Sequence, residues 1–247
     1  MRVTRVLALA LAAALFVSVG SALAAPSAAT ACTVTGFFRD SSNLTAAVIA
    51  TDNQSVSDVD AKGCDIGVYV GTGVTGVSVT GNVYGAKYFG VAVDGGSATV
   101  DGATVYDIGN SPFDGTQHGV GIYYTAGATG SVTNSAVSSY QKGGIVATGA
   151  GTAVTITDNT VTGLGKVDFI AQNGIQVSSG AVSDVRGNSI ADNFYTGTVG
   201  VGPNAGGQNP PGWEYVSGGL LLYEAGSGTK YSLNHFSGNQ RNVLMVP

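Results

Sequence analysis

Short runs that open on glycine return at a fixed interval through most of this chain. They are Gly67-Val-Tyr-Val70, Gly90-Val-Ala-Val93, Gly121-Ile-Tyr-Tyr124, Gly144-Ile-Val-Ala147, Gly174-Ile-Gln-Val177 and Gly219-Leu-Leu-Leu222, with Asn242-Val-Leu-Met-Val246 as a seventh. Their starts are 23, 31, 23, 30, 45 and 23 residues apart. Three of these intervals are a bare period of 23, and the other three are that period lengthened by 8, 7 and 22 residues. A fixed repeat with loop insertions is the mark of a solenoid, in which each unit buries its apolar face only against its neighbours.

Within each repeat a second alternating run follows, such as Val77-Ser-Val-Thr80 or Val154-Thr-Ile-Thr157. It ends in a bend carrying Asn82, Ala103, Ser135, Asn159, Asn188 or Asn234 in successive repeats. Asparagine tolerates left-handed backbone, and stacked asparagines can form hydrogen-bonded ladders. A third apolar position comes next, at Val83, Val105, Val137, Val161, Ile190 and Phe236. Three short strands per coil, each with one inward column, predict an all-β protein, a single-stranded parallel β-helix of about seven to eight coils. No window from 45 to 247 sustains a helical period, and glycine interrupts every candidate.

The spacing of the Gly-Ile-x-Val strands and the bends Asp158-Asn-Thr-Val161 and Gly187-Asn-Ser-Ile190 resembles the right-handed repeats of the pectate-lyase-like superfamily, from about Gly67 to Val246. That resemblance implies a right-handed helix and, among its members' activities, polysaccharide lyases, hydrolases and epimerases, alongside tailspikes and NosD-type copper-maturation proteins. The polygalacturonase motifs Gly-His-Gly and Arg-x-Lys are missing here, as is the basic cluster of pectate lyases.

The first 24 residues read as a secretory signal: Arg2 and Arg5, an apolar run from Val6 to Val19, and the cleavage pattern Ala22-Leu23-Ala24. That run is too short for a membrane span, which needs about 20 residues. Residues 25–44 are expected to be a leader and cap, and 45–247 the β-helix, with 45–66 an irregular first coil. Export makes Cys32–Cys64 a disulfide by default. Without the signal the chain has 8 basic against 15 acidic residues. Such a balance speaks against a nucleic-acid partner, which needs a basic patch, and against an anionic membrane. Secretion to the periplasm, cell wall or medium is the expected location.

All three insertions fall after the third strand of a repeat, so they emerge at one corner. The first ends in Gln117 and His118, the second in Gln172 and Asn173, and the third holds Trp213 and Tyr215. Between the first two lies an uninserted coil with Tyr140 and Lys142, expected to be exposed as a groove floor. The chemistry expected there is His118 as base, Tyr140 as acid, Lys142 as carboxylate neutraliser, and Asp114 with Asp168 as a carboxylate pair. Gln117, Gln172, Asn173, Trp213 and Tyr215 are the expected saccharide contacts. Two His, two Cys and two Met are too scattered for a zinc or copper site, so no metal and no cofactor are expected. Polysaccharide is the expected partner. The alternatives are a binding module without turnover and a structural solenoid that self-associates end to end.

Overall fold

The computed structural model describes residues 31–39, 41–197 and 215–247. In chain order its strands begin with β1 (Thr33–Arg39), β2 (Ser42–Ile49), β3 (Ser55–Asp60), β4 (Ile66–Val70), β5 (Val77–Tyr84), β6 (Phe89–Asp94) and β7 (Ser97–Tyr106). Next come β8 (Val120–Thr125), β9 (Thr129–Thr133), β10 (Ala136–Ser138), β11 (Gly143–Thr148), β12 (Ala153–Thr157), β13 (Thr160–Val167) and β14 (Asn173–Ser178). The last are β15 (Val182–Arg186), β16 (Ser189–Tyr195), β17 (Gly218–Tyr223), β18 (Lys230–Ser232), β19 (His235–Ser237) and β20 (Arg241–Val246). No helix occurs among the described residues.

Two sheets hold all of these strands. The first has the order β1-β2-β4-β6-β8-β11-β14-β17-β20 and is parallel throughout except for β1, which pairs antiparallel with β2 at one edge. In the second, β3, β5 and β7 pair side by side, and beyond β7 the sheet divides into two rows, β9-β12-β15-β18 and β10-β13-β16-β19. The chain therefore passes from the first sheet to the second and returns one strand further along. Regular pairing starts earlier than the sequence suggests. β2 already lies parallel to β4, and β3 to β5, so residues 45–66 are not an irregular coil.

Four inward columns run through the core: Val68, Val91, Ile122, Ile145, Ile175 and Leu220, and beside them Val70, Val93, Tyr124, Ala147 and Val177, from the first sheet; Val79, Val100, Val132, Ile156 and Val185; then Val83, Val105, Val137, Val161 and Ile190. None is more than 1% exposed. Each Val, Ile or Leu among them contributes about 1.5–3 kcal/mol by leaving water, and the parallel register stacks like on like, as in Ile122, Ile145 and Ile175.

The repeated glycine is the second residue of its strand. A Cβ on Gly144 would lie under 3.0 Å from Val161 Cγ1 and from the carbonyl oxygen of Gly174. Gly67, Gly90, Gly121 and Gly174 would meet the equivalent atoms, Val83, Val105, Val137 and Ile190 in turn. These glycines are there for space: the first sheet runs so close to the last of these columns that a methyl group does not fit.

The bend ladder is present, one residue displaced at its start. Asn159 Nδ2 donates to Asn188 Oδ1 at 2.9 Å and to Val132 O, and Asn188 Nδ2 donates to Asn234 Oδ1 and Ile156 O. The backbone N–H groups of Ser135, Asn159 and Asn188 donate to the next side chain in the column. Asn82 is not a member. Gly81 stands beside Ala103, and Asn82 turns outward to bond the Asp58 carboxylate. Cys32 and Cys64 are joined, which ties the start of β1 to the segment before β4.

Gly144→Ala is expected to destabilise the fold by about 2 kcal/mol or more through overpacking. Gly143→Ala, whose Cβ would meet nothing nearer than Val146 Cγ2 at 3.2 Å, should cost under about 1 kcal/mol. Urea unfolding of the two variants checks this; equal midpoints would show that the column is not crowded.

Candidate functional site

The insertions leave from one corner, the passage from the second sheet back to the first. Residues 107–119 join β7 to β8, 168–172 join β13 to β14, and 196–217 join β16 to β17. The first two flank β11, so their roots stand two strands apart, roughly 10 Å at the usual strand spacing.

Glutamine side chains fasten these roots. Gln141, fully buried, accepts from the backbone N–H groups of Asn110 and Asp114 and donates to Asp114 Oδ1 and Thr116 O. Gln172, also fully buried, accepts from Leu164 N–H and donates to the carbonyls of Tyr140 and Gln141 one coil back. Gln240 accepts from Tyr195 and Ser217 N–H, the two ends of the longest insertion. A primary amide has two donor hydrogens and an accepting oxygen, enough to satisfy a loop end and a neighbouring coil together.

This arrangement corrects several expectations. Gln172 is a structural fastener, and Asn173 is buried, its Oδ1 accepting from Gly218 N–H. Tyr140 is not on a groove floor. Its ring is wholly buried and its hydroxyl donates to Asn193 Oδ1 at 2.6 Å, with desolvation pushing its pKa well up. Its neighbour one coil back, Ile108, points inward in the same way. Lys142 is half-buried and its Nζ donates to the Ala171 carbonyl at 2.9 Å. Burial lowers its pKa from 10.5 to about 8. Asp168 is exposed on the second insertion, whereas Asp114 belongs to a network within the first. Hydrogen bonds from Thr116 and Asn110 hold Asp114 below its usual carboxylate range, and His118 adds to this. Tyr215 is half-buried. Trp213 and the proposed signal, residues 1–24, lie outside the described residues.

What the structure does assemble is a cleft of about 150 Å³ lined by Arg39, Tyr88, Phe89, Gln117, His118 and Val120. His118 is 6% exposed, its Nε2 lies 2.9 Å from Asn110 Oδ1, and its ring stacks on Tyr88 at 4.2 Å. Asn110 Nδ2 in turn donates to Asp114 Oδ2, completing a His118–Asn110–Asp114 chain. Opposite, the Arg39 guanidinium lies over the rings of Tyr123, Phe89 and Phe37 at 5.1, 5.6 and 5.9 Å and donates to Tyr123 Oη. Phe89 and Tyr123 stack at 4.6 Å. Sequence reasoning found His118 and Gln117 but missed Arg39, Tyr88 and Phe89. The available signal was Ile66–Val70 and Phe89–Val93, apolar without alternation, as in strands covered on both faces.

The remaining soft donors are dispersed. Cys32 and Cys64 are bonded to each other, His235 is exposed on β19 of the second sheet, and Met245 is exposed on β20 of the first. Among the described residues no group of three or more His, Cys, Asp or Glu is placed to hold a metal ion. No described helix is long and apolar enough to cross a membrane.

Fold and corner together define an all-β repeat protein with parallel ladders and loop insertions at one edge. The chain belongs to the NosD family: the family model described as "Periplasmic copper-binding protein (NosD)" matches residues 29–247. The family is periplasmic, in keeping with an exported chain. No curated protein and no solved structure matches it.

Lys142 provides a test by pH. Between about pH 8 and 10.5 the unfolded chain keeps a proton that the folded chain has lost, so this group's contribution to stability rises with pH. The buried tyrosines, whose pKa values are raised, oppose this only above about pH 10. Lys142→Met should therefore be more stable than the parent at pH 7, with the gap narrowing towards pH 10 in urea unfolding. A gap independent of pH would show that Lys142 is not desolvated.

Proposed function

We propose that this chain is a right-handed parallel β-helix of seven to eight coils that binds an acidic saccharide outside the cytoplasm and does not cleave it. The carrying observation is Arg39, half-buried on an aromatic platform beside His118 and Gln117. A guanidinium suits a carboxylate through paired hydrogen bonds. Tyr88 and Phe89 offer apolar ring surface to the sugar face, and Gln117 with the His118–Asn110 pair offers hydroxyl partners.

The reading without turnover is supported by where the expected catalytic groups lie. The Tyr140 hydroxyl is buried on Asn193, the Lys142 ammonium is bound to a carbonyl, and Asp114 is held by Asn110 and Thr116 within its own loop. Proton abstraction needs a base and an acid within hydrogen-bond reach of one substrate. The copper in the family's description does not fit this donor set, because two scattered histidines, a disulfide and an isolated methionine offer no shared centre.

Calorimetric titration with oligomers of uronic acids tests this. Binding is expected, with the ligand recovered unchanged and no rise in ultraviolet absorbance from an unsaturated uronate. Arg39→Ala should weaken it by about 1.5–3 kcal/mol, tenfold or more in Kd. Arg39→Lys, which keeps the charge and loses the fork, should fall between. No binding across a broad panel would end the reading, and release of unsaturated product would replace it with a lyase.

A further inference from the structure

We infer that the described residues carry no built copper site, and that such copper as they take up is held by one exposed imidazole, His235. The sequence contains two His, two Cys and two Met in all, and Met1 lies outside the described residues, so His118, His235, Cys32, Cys64 and Met245 are the described soft donors. The segment 198–214 contributes no His, Cys or Met.

Geometry then separates what remains. Cys32 and Cys64 are consumed by their disulfide. His118 sits just before β8 in the first sheet, and His235 lies on β19 in the second, three coils further along. At the usual strand spacing that is roughly 14 Å along the stack. Two imidazoles on one metal stand about 2 Å from it each, so the two histidines cannot share an ion.

They also differ in availability. The ring of His118 is buried against Tyr88 and its Nε2 is engaged by Asn110. His235 is exposed on the outer face of β19, beside Ser189 of β16. Met245, on β20 in the other sheet, is a lone thioether. A single imidazole completed by water is a weak ligand set by comparison with the multidentate sites that hold copper.

The test is copper titration of the full exported chain. Cu(II) binding is followed by calorimetry and by electron paramagnetic resonance, which reports the number of bound nitrogens, and Cu(I) by competition with a chromogenic chelator. Expected are one weakly held Cu(II) with a single imidazole nitrogen, and Cu(I) surrendered to the chelator. His235→Ala should reduce Cu(II) uptake by about tenfold or more, while His118→Gln, which keeps a partner for Asn110, should leave it unchanged. One tightly held equivalent that survives His235→Ala, or a spectrum with two or more imidazole nitrogens, would overturn the inference.

Discussion

The fold depends on one close approach. At five successive coils, from Gly67 to Gly174, the first sheet enters so near the apolar column of Val83 to Ile190 that a Cβ would strike a branched side chain and the next backbone carbonyl. Glycine is the residue that permits it, and the period of the glycines is the period of the stack. The interior is filled by stacked columns, mostly Val and Ile, with Tyr124 and Tyr140 among them. The core is thus thin and continuous, and each coil's contribution is local, as expected of repeat architectures.

A thin core tolerates interruption only where the interruption does not touch the columns. The insertions meet that condition because all of them occupy the one corner between the second sheet and the first. Three glutamines close the circuit there. Loops of quite different length end on the same kind of group, a glutamine side-chain amide, fully buried at 141 and 172 and half-buried at 240. Inside the bends, the asparagine ladder does the equivalent work for the backbone N–H groups. An unpaired buried polar group costs about 1–3 kcal/mol, so these amides are as structural as the valines. That explains why Gln172 and Asn173 look like ligand contacts in the sequence and prove to be fasteners.

The architecture was legible because it is written in spacing. Gly, Asn and apolar residues return at 23-residue intervals, and each return has a steric or hydrogen-bonding cause. The site was less legible because its parts come from segments without a common period. Arg39 belongs to the hairpin strand β1, Tyr88 and Phe89 to the entry of β6, and His118 to an insertion. Tyr140 reads as exposed in the sequence for a different reason: tyrosine is amphipathic, and only Asn193, two coils further along, decides that its hydroxyl is satisfied inside. The Asn82 displacement shows the same limit in miniature, since its bend is one residue shorter than those that follow, which moves the side chain from the ladder to an exposed aspartate.

A stack of parallel strands also constrains what chemistry such a protein can support. Like residues in adjacent coils stand about 4.8 Å apart, a good distance for amide ladders and ring stacks. It is a poor one for metal ligands, whose donor atoms must converge to about 2 Å from the ion. Convergent donors would have to come from loops at the corner, and the corner of this chain supplies one histidine, already engaged by Asn110 and packed on Tyr88. What converges there instead is a guanidinium, aromatic faces and amides. Those groups suit a planar anion and a ring with hydroxyls, the ligand proposed for this cleft, and such binding would need no metal, base or nucleophile.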